Sequence, residues 1–357
     1  MGDNIKQIDS TRLISRRKLL GYALAGVGAK VGHSLLAPRN GMGGNNDGWI
    51  RMPDHKNAGL YVPWTCAFER DHVPPLDPVA EELFLEARTL QTSKPYLTEA
   101  EEIRIFNLYK EAADLNHWRA MNNLAECYIK GTGTRASITT TNDIYDRMME
   151  MGIPIGFYDK YLLVKRGRGV MPDAALASQL LYKAADLGSP LAQNDLGRYY
   201  MYPEQRDKQG LRYFICSLRQ GNGQAGREIG FYLLLMEENY LMAAEYYWRA
   251  AALGNKDAIM DLFEAFGKSS YSNGPRSSLG FASDTELQQR FANRMAAHRN
   301  NPQITFPNLL EEEPIPHNPT MSRRRSRAMP SNLRLDDGSW PDEVYPELAP
   351  GYVFPRY

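Results

Sequence analysis

The feature that most constrains the fold of this 357-residue chain is an internal repeat. Residues 110–120, 182–192 and 248–258 are similar to one another, and each contains a turn residue at the same place. Successive turn residues in the full series are 36, 36, 33 and 33 positions apart. A period of this length is typical of stacked helical hairpins, each of which needs its neighbours to bury its apolar face. The five turn residues are Asn116, Gly152, Gly188, Gly221 and Gly254.

Each unit of the repeat predicts a helix, a tight turn and a second helix. Large apolar residues stand seven positions before the turn, which predicts that Tyr109, Tyr145, Phe214 and Tyr247 are core residues. Positions four, eight and twelve after the turn share one face of the second helix, where Lys160 is the exception to an apolar pattern. Glycine suits a left-handed turn that a Cβ would strain. The position four after the turn is small in every unit: Ala120, Gly156, Ala192, Ala225 and Ala258.

The repeat resembles the Sel-one-like (Sel1-like) repeat, a helical hairpin related to the tetratricopeptide repeat. The resemblance rests on the pattern Tyr-x-Lys-Ala-Ala-x-x-Gly, followed by Ala, Leu and Tyr at steps of four, and it covers roughly residues 100–268. It implies an all-α fold, a right-handed α-solenoid of about five repeats with a concave surface for partners. We therefore expect the folded array, including one capping helix, to span residues 76–268.

The N-terminal residues predict the cellular compartment of the protein. Residues 15–20 (SRRKLL) resemble the twin-arginine export signature through Arg16 and Arg17, and a short, weakly apolar stretch follows. Residues 1–37 are thus interpreted as an export signal to the periplasm, followed by an extended linker over 38–75. An uncleaved anchor in the inner membrane, facing the periplasm, and a basic amphipathic helix of a cytosolic protein remain alternatives.

The C-terminal part predicts a loop and a terminal helix over 269–300, then a tail over 301–357 that is rich in Pro, Arg and aromatic residues. Ser283 and Glu286 have the spacing of a capping box for that helix. Aromatic residues at the density of the last eighteen positions are unusual for a solvated tail, so we expect them to dock on the solenoid or on a partner. The tail aromatics are Trp340, Tyr345, Tyr352, Phe354 and Tyr357.

Composition and motifs favour binding over catalysis. The 42 basic and 42 acidic residues balance, whereas a nucleic-acid-binding chain usually has a basic excess. The three cysteines, Cys66, Cys127 and Cys216, have no metal-ligand spacing and allow one disulfide, whose formation the sequence leaves open. The six histidines form no recognisable catalytic pattern. We expect no metal, no cofactor, no nucleic acid and no enzymatic activity, with a hydrolase as the minor alternative.

Segments at the start of the array, at its second turn and after its last helix also resemble a bacterial subfamily of Sel-one-like envelope proteins. Residues 75–88, 151–158 and 306–309 carry this resemblance. Some members are similar to immunity proteins of type VI secretion phospholipase effectors, which implies a periplasmic protein that binds and neutralises a lipase. An envelope scaffold or adaptor that organises other proteins is the alternative.

Six aromatic or arginine side chains outside the predicted core face are candidate partner contacts, since such residues are frequent interface anchors. We expect a double substitution at Tyr246 and Trp248 to weaken partner binding without unfolding the chain. The six candidates are Tyr182, Arg212, Tyr213, Tyr246, Trp248 and Arg249.

Overall fold

The computed structural model describes residues 65–94, 96–201, 207–236, 238–268 and 279–316. Within these ranges the chain forms thirteen α-helices and one short 3-10 helix, with no β-strand. The fold is therefore all-α, as the repeat predicts. The helices are α1 (Pro78–Thr92), α2 (Glu99–Asp114), α3 (Trp118–Lys130), α4 (Ile138–Glu150), α5 (Pro154–Arg166), α6 (Ala174–Asp186), α7 (Pro190–Met201), α8 (Asp207–Arg219), α9 (Gly223–Leu235), α10 (Tyr240–Ala252), α11 (Lys256–Ala265), α12 (Thr285–Asn300) and α13 (Leu309–Glu312).

The helices α2 to α11 form five hairpins, and each helix packs on the next along the chain. The turn inside every hairpin has a residue in the left-handed region, with φ of 63° at Asn116 and between 74° and 92° at the four glycines. All five predicted turn residues are thus confirmed, and they set the register of the array. The result is a solenoid of helical hairpins, preceded by α1, which packs on α2.

The predicted core face is also confirmed. Tyr109, Tyr145, Phe214 and Tyr247 are at most 3% exposed. The small residues after the turn allow the two helices of a hairpin to approach, and a Cβ added at Gly156 would lie 2.5 Å from Met148 Cβ.

The exceptional Lys160 is accommodated by polar partners. Its Nζ lies 2.8 Å from Asp146 Oδ1 and donates to Asn142 Oδ1 at 2.8 Å, and the side chain is 12% exposed. A cation therefore replaces an apolar residue without being left unpaired inside the array.

The helix at each end of the array begins at an aspartate. Asp77 caps α1 through hydrogen bonds from the Val79 and Ala80 amides. Asp284 caps α12 through the Glu286 and Leu287 amides. The predicted capping box at Ser283 is therefore off by one residue, because a carboxylate next to the helix start reaches two amides itself.

Aromatic side chains seal the C-terminal end of the array. Phe291 of α12 packs edge-on against Trp248 of α10, with ring centroids 5.5 Å apart. The segment beyond α12 returns to the same place, where the Trp248 indole Nε1 donates to the Glu313 carbonyl at 2.8 Å. The Phe306 amide donates to the Ala252 carbonyl at 2.7 Å. Residues 301–316 therefore close the last hairpin, and we call them the C-terminal cap.

Several predictions concern residues outside the described ranges. The export signal with Arg16 and Arg17 lies there, as does most of the predicted linker. The five tail aromatics lie there too: Trp340, Tyr345, Tyr352, Phe354 and Tyr357.

Candidate protein-binding surface

A row of charged and polar side chains joins the second helices of successive hairpins. Seven residues after the turn, α7, α9 and α11 each carry an acid: Asp195, Glu228 and Asp261. Each acid lies close to a hydrogen-bonding or cationic side chain from the second helix of the preceding hairpin. We call these acids and their partners the polar ladder. It consists of three pairs: Tyr158 Oη and Asp195 Oδ2 at 3.3 Å, Arg198 Nε and Glu228 Oε1 at 3.7 Å, and Arg227 Nε and Asp261 Oδ2 at 2.6 Å.

The ladder lies at the boundary between the interior and solvent. Burial raises the pKa of Asp195 and of Asp261 above the ordinary value, although neighbouring cations oppose that shift. The arginines extend further outward, since the side chain of Arg198 is 40% exposed and that of Arg227 is 26% exposed. Half-buried arginines held in ion pairs are pre-organised donors for a protein partner.

An N-terminal segment crosses the array beside the ladder. We call residues 65–72 the strap. A disulfide joins Cys66 of the strap to Cys216 of α8, with Cα atoms 5.7 Å apart. Two glutamines of the array bind the strap backbone: Gln193 Nε2 donates to the Ala67 carbonyl at 2.9 Å, and Gln220 Oε1 accepts from the Glu69 amide at 2.7 Å. The strap is thus held by one covalent bond and by side chains that contact its main chain.

The turn glycine Gly188 makes room for the strap. A Cβ at this position would lie 2.3 Å from the Phe68 carbonyl carbon and 2.4 Å from the Glu69 nitrogen. The Gly188 carbonyl also accepts a hydrogen bond from Gln220 Nε2 at 2.9 Å. Any side chain at residue 188 would therefore displace the strap, besides straining a backbone with φ of 92°.

The strap inserts a carboxyl group into the array. Glu69 is 3% exposed, and its burial raises its pKa to about 8, with an opposing effect of Arg119 and a further increase from Asp159. These neighbours belong to α3 and α5, the second helices of the first two hairpins. The strap therefore covers the same side of the array on which the polar ladder begins.

The structure brings only some of the six predicted contact residues together. Tyr182 Oη lies 2.8 Å from Tyr200 Oη, and the Tyr200 ring stacks on Tyr213 with centroids 5.7 Å apart. Tyr213 is 2% exposed, so the prediction that it faces a partner is wrong: it packs inside a cluster of tyrosines. Tyr182 and Arg212 are partly exposed, and their role in binding stays a prediction.

The prediction is also wrong for Tyr246 and Trp248, which are 1% and 0% exposed. Trp248 lies under the C-terminal cap, whose residues come much later in the chain. Arg249 is partly exposed, ion-paired with Glu245, and its guanidinium carbon lies 5.6 Å from the Tyr246 ring centroid. Of this group only Arg249 stays a candidate contact.

Sequence reasoning missed both the ladder and the strap. The acids seven residues after the turn are a repeated signal that the sequence contains, whereas the strap has none: its partners lie about 120 to 150 positions further along the chain.

The described part of the chain shows neither a metal-ligand cluster nor a membrane-spanning helix. No group of three or more His, Cys, Asp or Glu side chains there is placed to hold a metal ion. None of its helices is both long and apolar enough to cross a bilayer. The third cysteine, Cys127, is buried in α3 with a free thiol.

A solenoid of helical hairpins defines a helical-repeat protein, an architecture that offers an extended surface. A family model described as Sel1 repeat matches residues 118–139, 163–189, 190–222 and 226–255. Three solved structures from Pseudomonas aeruginosa are each 34% identical to the chain. The immunity protein Pa5087 has a TM-score of 0.63, covering 72% of this chain and 96% of its own. The protein 5086 has a TM-score of 0.64, and the match covers 74% of this chain and 100% of that protein. The immunity protein PA5088 has a TM-score of 0.62, and the match covers 72% of this chain and 96% of that protein.

The chain belongs to this family of Sel1-repeat proteins. The shared identity extends over nearly the whole length of each relative, so the likeness includes the ends of the array as well as the repeats. The chain is thus a Sel1-repeat protein that resembles immunity proteins, an architecture consistent with protein binding.

Proposed function

We propose that this chain is a non-enzymatic immunity protein that binds and neutralises a toxic effector in the cell envelope. The observation that carries the proposal is 34% identity to two Pseudomonas aeruginosa immunity proteins, over 96% of their length. The polar ladder supports it, because α7 and α9 each carry a partly exposed arginine in an ion pair, Arg198 and Arg227. The partner is then a protein that presents carboxylates or carbonyl groups to this row.

For the partner we propose a lipase or phospholipase effector of a type VI secretion system. This assignment comes from the resemblance of residues 75–88, 151–158 and 306–309 to envelope proteins of that kind. Neutralisation would consist of covering the lipase, so a stable complex is expected rather than turnover of a substrate.

The proposed compartment is the periplasm, reached through the twin-arginine signal. The Cys66–Cys216 disulfide supports this compartment, because such bonds persist in oxidising environments and are rare in the cytosol. An anchor in the inner membrane, with the array facing the periplasm, is the alternative arrangement.

The test is a growth assay with a lipase effector, taken from the genes next to this one, directed to the periplasm of a host cell. Cells that also make the full chain should grow, whereas cells that make a chain lacking residues 1–37 should be killed. Complex formation between the purified proteins is measured in parallel by calorimetry. Full toxicity of the lipase in the presence of the exported chain would contradict the proposal.

Binding through the ladder predicts a specific loss of affinity. Arg198→Ala should weaken the complex by about tenfold or more, the effect of removing an arginine anchor from an interface. Arg290→Ala is the matched control, because Arg290 also pairs with a glutamate, is similarly exposed at 45%, and lies on α12, which contributes no residue to the ladder. Equal dissociation constants for the two variants would place the interface elsewhere.

The alternative function is an envelope scaffold or adaptor, which the same repeat architecture supports. A scaffold would be recovered from its native host with several envelope proteins and would leave the toxicity of the lipase unchanged. Hydrolysis of a lipid or ester by the purified chain alone would instead favour the minor alternative, a hydrolase.

A further inference from the structure

The strap has no fully buried apolar side chain to hold it on the array. Its only fully buried side chain is Glu69, a carboxyl, which loses hydration when it enters the interior. Phe68 is partly exposed, while Arg70 and Asp71 are 68% and 61% exposed. An apolar anchor would favour docking by itself, whereas the burial of a carboxyl costs hydration that a neighbouring cation such as Arg119 only partly offsets.

Two short hydrogen bonds join glutamine side chains of the array to the main chain of the strap. Ala67 accepts from Gln193, and Glu69 donates to Gln220. A free strap would satisfy both of these groups with water, so they contribute little net free energy to docking. Ordering a flexible segment costs conformational entropy at every residue.

The disulfide lowers that cost. Cys66 and Cys216 are 150 positions apart, so the bond replaces the closure of a very long loop by a fixed contact. It keeps Ala67 and Glu69 next to their glutamine partners.

We propose that the strap is a redox-controlled element, docked when the Cys66–Cys216 disulfide is formed and released when that bond is reduced. Reduction by a dithiol transfers two electrons and two protons: the S–S bond breaks, both cysteines become thiols, and the dithiol becomes a disulfide. Oxidation by a disulfide donor reverses each step. Release uncovers Gly188, Gln193 and Gln220, the residues of the array that contact the strap.

This inference rests on the proposed function only for its biological consequence. After export to the oxidising compartment the disulfide would form, the strap would dock, and the surface offered to a partner would be complete. The docking of the strap itself is measured without any partner. A failed immunity assay would therefore leave the strap inference intact, and the reverse also holds.

The experiment compares hydrogen exchange of the full chain, oxidised and after reduction by dithiothreitol, by mass spectrometry. Peptides that cover residues 66–72 should exchange about tenfold faster or more after reduction, because opening of the strap replaces global unfolding as the route to exchange. Peptides from α10 (Tyr240–Ala252) should not change. Alkylation of Cys66 and Cys216 verifies reduction, with the buried Cys127 as the internal reference.

Two variants sharpen the result. A C66S/C216S chain should show the fast exchange of the strap in both buffers. Glu69→Gln should restore protection to the reduced strap in part, because it removes the ionisable group from the interior. Equal protection of 66–72 in the oxidised and reduced chain would overturn the inference, and so would faster exchange of all helices together. If residues 66–72 exchanged equally fast in the reduced Glu69→Gln variant and in the reduced wild type, the carboxyl would not be the reason that docking depends on the disulfide.

Discussion

At the scale of single residues, Trp248 shows how far an interface prediction depends on distant parts of the chain. Its indole is fully buried, packs edge-on against Phe266, Phe281 and Phe291, and donates to the Glu313 carbonyl. Phe266 belongs to the same hairpin, but Phe281, Phe291 and Glu313 come after the last repeat, beyond the reach of a repeat pattern. The repeat places Trp248 outside the predicted core face, yet its side chain is the centre of the contacts beneath the C-terminal cap.

The burial of Trp248 leads to a prediction about stability. Trp248→Ala should lower the free energy of unfolding by about 3–5 kcal/mol, the usual effect of truncating a buried aromatic residue. Urea denaturation followed by circular dichroism measures the change. Tyr96→Ala is the control, because this tyrosine is 88% exposed and should change stability by less than about 0.5 kcal/mol. A variant as stable as wild type would contradict the packing described for the cap.

The turn residues show the opposite situation at the same scale. Asn116 and the four glycines occupy the left-handed region for a local steric reason, so the sequence alone predicts them. Burial at Tyr109 and Phe214 follows from the same period. Lys160 shows where local reasoning stops: the sequence marks it as an exception, but only the structure shows that Asp146 and Asn142 accept its charge.

At the scale of elements, the strap is the part of the candidate site that the sequence leaves hidden. It has no periodicity, and its register on the array depends on one disulfide and on two glutamine side chains. The polar ladder differs, because its acids recur at a fixed distance after the turn and lie within the predicted helices. Predictability therefore follows the repeat: what recurs every 33 to 36 residues is visible in the sequence, and what crosses the repeats is not.

The buried carboxyl of the strap predicts an alkaline loss of stability. The pKa of Glu69 is about 8 in the folded chain, against an ordinary value of 4.5, because burial disfavours the carboxylate. The folded state thus binds the proton more tightly, and this contribution to stability is complete below pH 4.5 and is lost as pH rises to about 8. The slope is at most about 1.4 kcal/mol per pH unit in that interval.

The measurement compares wild type with Glu69→Gln in urea at pH 5 and pH 8.5. Asp195 and Asp261 also have raised pKa values, but they are present in both proteins, so the difference between them isolates Glu69. The variant should lose less stability than wild type between the two pH values. Glu82→Gln, at an exposed position of α1, is the control and should follow wild type. Parallel pH curves for wild type and Glu69→Gln would show that Glu69 is not a buried acid.

At the scale of the whole molecule, a solenoid has two ends that no further repeat covers. Helix α1 covers the first end, and α12 with the C-terminal cap covers the last one. The family relatives have nearly the full length of the array in common with this chain, which is expected if the ends are part of the folding unit.

The last prediction concerns the C-terminal end and uses two truncations. A chain that ends after Pro316 keeps the C-terminal cap, whereas a chain that ends after Asn300 loses Leu309, which is fully buried, and the Glu313 carbonyl that accepts from Trp248. The shorter chain should be less stable than the longer one by about 3 kcal/mol, the sum of one buried leucine and one buried hydrogen bond. The loss should be confined to the last hairpins, because each hairpin of a solenoid contacts only its neighbours. Hydrogen exchange would show it as faster exchange in α10 and α11 with unchanged protection in α4 and α5, and uniform loosening of all helices would contradict it. Comparing the chain that ends after Pro316 with the full chain then measures separately whether the tail aromatics stabilise the array.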